Sequence, residues 1–412
     1  MNKKQILRLI AVFFLILIAS QIGIGQVNNS VYSMFGVGQI SDYSYGINQS
    51  LGGTGIAFQS DKWINYANPA SYLGLSPSSY NLELGVYGIF SQAENATTRQ
   101  NAGNGNFSYC SWSFSFTNRW AAILGIVPYS SVDYQITSAD QIEGELISFE
   151  KQYTGSGGLS KVYVGNSFGI TKGLAIGMNT AFILGHIEQR ETALSEDSFS
   201  GYQLQNTRSA HSFHMDFGLQ YSVFKNDWKY TLGAIYIPGK KLSTTDEIEF
   251  TYDDETTILE QDQQLASLRI PEKRGFGLAV KKGNTFKAGM DYEWQNWSTV
   301  HFSNPNLDTR NSDRFSFGLE YAPGERKKPG ESFIYRLGAH YKKSYLEIDN
   351  TQINAMGIVL GLGIPNFNTI RNHFNISLAY GREGTLDRGL IRNQYLTLNF
   401  GLSLHEFYGY GR

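Results

Sequence analysis

The 412-residue sequence has little cysteine, proline or net charge. Cys110 is the single cysteine, which excludes an intramolecular disulfide framework. Lys and Arg total 34 against 36 Asp and Glu, so the net charge of -2 argues against nucleic acid or another polyanion as a partner. After the first 25 residues, no apolar run approaches the roughly 20 residues that a transmembrane helix needs.

The N-terminus has the three parts of a secretory signal peptide. Three basic residues precede the apolar run 9–18, and small residues follow at Gly23 and Gly25. Residues 1–25 are therefore predicted to be absent from the mature protein. An uncleaved membrane anchor is the alternative, and it is disfavoured because the run is shorter than the roughly 20 residues of a spanning helix.

The end of the chain shows a pattern that recurs throughout. Residues 395–404 alternate apolar with small or polar side chains, and successive side chains of a strand face opposite sides of a sheet. One face of this predicted strand is therefore wholly apolar. That face consists of Leu396, Leu398, Phe400, Leu402 and Leu404.

Runs of this kind indicate about fourteen strands, an even number as is usual in outer-membrane barrels. The sequence predicts an all-β fold, a transmembrane antiparallel β-barrel over residues 79–412, located in the bacterial outer membrane in contact with lipid. Aromatic and glycine residues are abundant, with 26 Tyr, 26 Phe and 44 Gly. The mean hydropathy is only -0.28, because a barrel strand presents just every second residue to lipid.

The predicted connections alternate in length, and short periplasmic turns with long external loops are the rule for these barrels. Residues 92–104, 191–206 and 239–265 are predicted to be long polar loops at the external end. The chain is therefore expected to start and end in the periplasm. Four tryptophans near the predicted strand ends are expected to form the interfacial girdles: Trp120, Trp228, Trp294 and Trp297.

Residues 26–78 differ from the rest of the mature chain. They are rich in Ser, Asn, Gly and Tyr and lack sustained alternation, so they are not barrel wall. Ten glycines fall at lumen positions of the predicted strands, and glycine in a strand often marks the close approach of other backbone. We expect residues 26–78 to occupy the lumen as a plug, or hatch. Relief of crowding in a narrow barrel is the alternative explanation of these glycines.

The N-terminal segment also carries a family resemblance. A small-residue block over residues 51–57, then Asp61, then the sequence Asn68-Pro69-Ala70, resembles the hatch of the FadL family of outer-membrane transporters for long-chain fatty acids and other hydrophobic compounds. The chain departs from that pattern after Ala70, where the family usually has Gly-Leu. The resemblance implies a plugged barrel and a hydrophobic small-molecule ligand. It implies hatch roles for Gly53, Gly55, Asp61, Asn68, Pro69 and Ala70.

In a FadL-like mechanism the ligand leaves sideways through a gap in the barrel wall. Pro128 is the candidate for such a gap, because proline cannot donate to the hydrogen-bond ladder of a strand. A strand end or an ordinary bulge explains this proline equally well. Five charged residues are predicted to face the lumen, where hatch anchoring is favoured over substrate selection: Asp216, Asp291, Glu293, Glu320 and Arg336.

The sequence offers little that points to catalysis. Residues 165–169 match the Gly-x-Ser-x-Gly elbow, but that motif requires a strand-turn-helix unit, and a turn with another strand is predicted to follow. No enzyme activity, cofactor or metal site is predicted. The favoured function is a hatch-gated outer-membrane channel for small hydrophobic molecules. The alternative is a secretion-linked or scaffolding barrel that binds a protein partner in the outer membrane.

Overall fold

The computed structural model describes most of the chain from Ser30 onward. The predicted signal peptide, residues 1–25, lies outside the described residues. The described residues are 30–41, 46–141, 148–195, 201–252, 255–263, 268–298, 300, 307–323, 333–365 and 372–407.

Fourteen antiparallel strands form a closed barrel, which confirms the predicted fold. Each strand pairs with its neighbours, and β14 pairs with β1 from Ser79↔Phe407 to Glu94↔Arg392. The strands are β1 Ser79–Glu94, β2 Arg99–Thr117, β3 Trp120–Ser131, β4 Ser148–Thr171, β5 Leu174–Ser195, β6 Tyr202–Lys225, β7 Trp228–Ile237, β8 Glu272–Lys282, β9 Phe286–Asn296, β10 Ser312–Tyr321, β11 Ile334–Ile348, β12 Thr351–Pro365, β13 His373–Gly384 and β14 Arg392–Phe407.

Shorter elements accompany the barrel. The additional strands are Gln39–Ile40, Tyr134–Gln141, Lys240–Lys241, Ser243–Tyr252, Glu255–Gln263, Arg269–Ile270 and Leu307–Thr309. The helical elements are Val31–Met34, Gly46–Gln49, Pro69–Gly74 and Asp387–Gly389. Among the described residues, none of these helices is long and apolar enough to cross a membrane.

The outer face of the wall is apolar and exposed, whereas the inner face is polar and buried. Phe400 is 46% exposed, and its cross-strand neighbour Val86 is 47% exposed. The adjacent inward residues, Asn399 and Gly401, are buried. A band of this kind around a closed barrel is the architecture of outer-membrane proteins, in which every backbone polar group is paired within the wall.

The two ends of the barrel have different connections. Tight turns join β2 to β3, β4 to β5, β6 to β7 and β8 to β9 at one end, which we call the tight-turn end. We call the opposite end the long-loop end. Long polar loops are predicted there, but much of this sequence forms strands. The pairing of β1 with β2 continues to Glu94↔Arg99, and Ser243–Tyr252 pairs with residues 202–211 of β6. Above the lipid both faces of a strand meet water, so a strand there needs no apolar alternation.

One predicted member of the aromatic girdles lies elsewhere. Trp297 is only 1% exposed, and it stacks on Tyr345 with ring centroids 3.7 Å apart. The prediction of a lipid contact for Trp297 is therefore wrong. Trp120, by contrast, is 41% exposed on the outer wall and stacks on Phe116.

The described residues that precede β1 lie in two stretches, 30–41 and 46–78. Residues 30–41 lie at the long-loop end, where the hydroxyl of Tyr32 donates to the carbonyl of Ile391 over 2.5 Å. Residues 46–75 are mostly buried against the inward faces of the strands. The sequence predicts that the chain starts at the tight-turn, periplasmic end. The first described residues lie at the long-loop end instead, so the prediction holds only for the start of the barrel strands.

The lipid-facing register gives a direct test. Phe400→Arg places a charge on the apolar face in the middle of β14, at an expected cost of roughly 2–4 kcal/mol near the bilayer midplane. Phe400→Leu is the matched control, and it should assemble like the parent. Both variants are scored by reversible urea unfolding in lipid vesicles. Equal unfolding free energies for Phe400→Arg and Phe400→Leu would place this side chain away from lipid.

Candidate functional site

Asn68 ties the N-terminal segment to the barrel wall. It is the N-cap of the helix Pro69–Gly74, and its side-chain oxygen accepts from the amide of Ala70 at 3.0 Å. Its side-chain nitrogen donates to the carbonyl of Ile56 at 2.8 Å and to that of Leu219 in β6 at 3.1 Å. An amide both accepts and donates. Asn68 can therefore cap a helix and hold the wall at once, which a carboxylate cannot do.

Paired glycines in the wall allow this close approach. Gly177 and Gly218 are cross-strand neighbours in β5 and β6. A Cβ atom on Gly177 would lie 2.2 Å from the carbonyl carbon of Pro69, and one on Gly218 would lie 2.1 Å from Asn68 Oδ1. These contacts leave no room for any larger residue. The segment and the wall are thus in backbone contact at the Asn68-Pro69-Ala70 motif.

The small-residue block is held in the same way on the other side of the lumen. Gly318 and Gly338 are cross-strand neighbours in β10 and β11. A Cβ atom on Gly338 would lie 2.0 Å from the amide nitrogen of Gly52. Gly53 has a φ of +85°, which favours glycine, and the guanidinium of Arg314 lies against its Cα.

Several lumen charges bind the backbone of the segment. The carboxylate of Asp291 accepts from the amides of Gly55 at 2.6 Å and Ile56 at 2.9 Å. Arg314 donates to the carbonyl of Gly52 at 2.8 Å and pairs with Glu293 at 2.8 Å. Charged side chains of β9 and β10 therefore fix the turn that contains Gly53 and Gly55.

The remaining lumen charges form ion pairs across strands. Asp216 pairs with Lys161 at 2.7 Å, and Glu320 pairs with Arg336 at 2.7 Å. Lys161 is 1% exposed, so its charge depends on this partner. The acidic residues and Arg336 were predicted to face the lumen, but their partners Lys161, Lys273, Lys287 and Arg314 were not. Their inward position in the strand alternation is the signal that could have identified them.

Asp61 lies apart from these contacts. Its side chain is exposed, and its backbone carbonyl accepts from the amide of Ser76 at 3.1 Å. It lines a cavity of about 260 Å³ toward the tight-turn end, between the segment and β6–β9. A second space of about 30 Å³ lies in the middle of the lumen, and charged residues dominate its polar lining.

Pro128 lies where β3 separates from β2. The ladder between these strands ends at Ile126, and a bulge between Pro128 and Ser130 interrupts the pairing with β4. Beyond the bulge, the edge of β3 that would face β2 pairs instead with the short strand Gln39–Ile40. The N-terminal segment therefore pairs with the edge of β3 that β2 leaves unpaired here.

One side-chain contact also bridges the separated strands. Asn104 of β2 donates to the carboxylate of Asp133 at 2.8 Å. Burial raises the pKa of Asp133 to about 6, against the opposing effect of this hydrogen bond. The amide of Asp133 in turn donates to the hydroxyl of Ser33 at 3.1 Å, so the N-terminal segment reaches this contact too.

Apolar side chains face inward beside this opening. An apolar patch is formed on the inner wall by Tyr129, Leu159, Ile183, Ile187 and Ala210, all at most 4% exposed. Val37 of the N-terminal segment lies in the same cluster, and Met34 packs against it. The segment thus covers an apolar surface that would otherwise face the interior.

The serine of the elbow-like sequence has a structural contact. Residues 165–169 lie within β4, and the hydroxyl of Ser167 donates to the carbonyl of Ala70 at 3.0 Å. The strained strand-to-helix turn of a nucleophile elbow is not formed at this serine. Among the residues that the structure describes, no three His, Cys, Asp or Glu side chains are grouped as metal ligands.

Comparison with known proteins gives a family and a fold. The model of the BamG family matches residues 1–408. The toluene transporter TbuX of Ralstonia pickettii aligns with a TM-score of 0.59 at 15% identity, over 89% of this chain and 99% of its own. A FadL homologue of Pseudomonas aeruginosa gives 0.58 at 13%, over 91% and 100%. No curated protein matches the sequence.

The monoaromatic hydrocarbon channel CymD gives a TM-score of 0.57 at 13% identity, over 91% of this chain and 99% of its own. The names of two of these structures describe a channel and a transporter. At these identities the likeness concerns the fold. It confirms the FadL-like barrel architecture that the resemblance implied.

The backbone contacts of the glycines predict a selective effect of one added methyl group. Gly338→Ala should destabilise the protein by about 1–3 kcal/mol, because the Cβ atom meets the backbone of Gly52 and overpacks the interior. In Gly88→Ala the Cβ atom meets only one atom, at 3.9 Å, so the change should be nearly neutral. Urea unfolding of the two variants in detergent checks this difference. Equal stability would mean that the segment does not rest on Gly338.

Proposed function

Since this chain belongs to the BamG family and folds as a barrel of the outer-membrane type, we propose that it is a channel through which small hydrophobic molecules diffuse across the outer membrane. Residues 26–78 act as its hatch. Molecules resembling long-chain fatty acids are the proposed ligands. The names of the similar structures, which include channels for toluene and monoaromatic hydrocarbons, support this class of ligand.

The observation that carries the proposal is the covered apolar patch. A hydrophobic molecule that enters between the loops of the long-loop end would find this surface once Met34 and Val37 move aside. Replacing one apolar contact by another keeps the patch away from water, so the exchange costs little hydrophobic free energy. The N-terminal segment and the ligand would thus compete for the same surface.

The rest of the path favours a sideways exit. The middle of the lumen contains buried ion pairs such as Lys161–Asp216, together with the anchored backbone at Asn68. An apolar molecule on that route would separate charges from their partners, which is strongly unfavourable. The break between β2 and β3 lies next to the patch, because Tyr129 follows Pro128 in the bulge of β3 and is also a member of the patch. We therefore place the exit at Pro128.

A second candidate function follows from the same contacts in the lumen. Contacts with wall glycines and ion-paired side chains on several strands hold residues 46–75 in the lumen. A segment held at so many points opposes opening of the lumen. This observation favours a secretion-linked or scaffolding role with a protein partner in the outer membrane. The purified protein distinguishes the two functions. Copurified lipid-like molecules support the channel, whereas a stoichiometric protein partner and no such molecule support the scaffold.

The lateral exit can be tested by locking it. In a Cys110→Ala background, Asn104→Cys and Asp133→Cys place two thiols at positions whose side chains now touch across the opening. A short bifunctional thiol reagent should lower uptake of labelled oleate and labelled toluene by intact cells about tenfold, a change of 1.4 kcal/mol in barrier. The two single-cysteine variants treated with the same reagent are the controls. Unchanged uptake after complete cross-linking would exclude an exit at this point.

A further inference from the structure

Three lysines form a row at the tight-turn end of the lumen. Lys281 of β8 is the direct cross-strand neighbour of both Lys229 in β7 and Lys287 in β9. All three occupy inward positions and line the cavity of about 260 Å³. Like charges directly opposite each other on adjacent strands are destabilising. A row of three in a partly enclosed space therefore requires negative charge nearby.

The described part of the protein supplies little of that charge. Lys287 lies 3.2 Å from Glu320, which it shares with Arg336. Lys229 donates to the side-chain oxygen of Gln59, which is neutral. Within the described residues, no ion pair joins Lys229 or Lys281 to a carboxylate. Among the described residues that line the cavity, Asp61 is the only acidic one, and the next residue in the sequence is Lys62.

The cavity combines these cations with an apolar wall. Phe58 forms a buried part of it, and the Lys287 ammonium lies 5.3 Å from the centre of its ring. Phe224 stands at the mouth, 71% exposed, with the Lys229 ammonium 5.4 Å from its ring centre. Pockets for small molecules typically combine aromatic side chains with a few polar or charged groups that fix the ligand's orientation.

We propose that this cavity binds an oxyanion, the carboxylate or phosphate group of a small solute. Lys229 and Lys281 face the anion directly, Lys287 completes the positive wall, and Phe58 and Phe224 contact the apolar part of the solute. The bound anion offsets the repulsion along the lysine row. The inference does not depend on what the barrel passes at its long-loop end, so either can fail without the other.

Two soluble probes test the site on the full-length protein in detergent. 4-Fluorobenzoate is followed by 19F NMR and inorganic phosphate by 31P NMR, at constant ionic strength. We expect saturable line broadening of at least one probe. Broadening by benzoate alone assigns a carboxylate with an apolar part, and broadening by phosphate alone assigns a phosphate group. Absence of saturable broadening for both probes would overturn the proposal.

Matched substitutions locate the binding. Lys281→Gln should weaken the apparent affinity about tenfold, because it removes the central charge of the row. Lys282→Gln removes one positive charge from the next residue, whose side chain is exposed. This variant should bind the probe with the affinity of the parent. Lys229→Gln is the second variant if Lys281→Gln does not assemble. Equal affinity of an assembled row variant and Lys282→Gln would also overturn the proposal.

Discussion

The pairing of every backbone polar group inside the barrel wall is the constraint on which the structure depends. Lipid offers no hydrogen bonds, so an open sheet edge at membrane depth is excluded and β14 must close on β1. Closure then fixes one face of each strand toward lipid and the other toward a narrow interior. Where β3 leaves β2 beyond Ile126, the same constraint acts again, and the strand Gln39–Ile40 pairs with the freed edge.

The narrow interior explains the chemistry of the lumen. The N-terminal backbone enters it and carries amides and carbonyls that need partners, since unpaired buried groups are costly. Asp291 and Arg314 provide those partners at Gly52, Gly55 and Ile56. Their charges in turn need ion pairs, which neighbouring strands supply. The glycines and the charges of the wall are therefore two consequences of one event, the placement of polar backbone within a barrel.

The barrel was predictable from sequence because a strand between lipid and water must alternate with period two, as at Phe400 and Asn399. Beyond the lipid this requirement ends, so the sequence predicts a loop over residues 191–206, whereas β5 continues to Ser195 and β6 begins at Tyr202. Trp297 is of the residue type that forms aromatic girdles, but its stacking on Tyr345, which is far away in the sequence, decides its position. The partners of the lumen acids were missed for a similar reason. Lys161 and Asp216 are 55 residues apart in sequence, and only the register of three strands brings them together.

The two ends of the lumen differ in a way that limits how any molecule can cross. The long-loop end offers an apolar patch under Val37, the middle is ionic, and the tight-turn end is lined by Lys229, Lys281 and Lys287. No single small molecule is complementary to all three regions. A hydrophobic solute matches the first region alone, and an anion matches the last. Transport along the axis would therefore require the anchored segment to leave. Movement through the wall beside Pro128, the exit proposed above, would require residues 30–41 to be displaced and the Asn104–Asp133 contact to open.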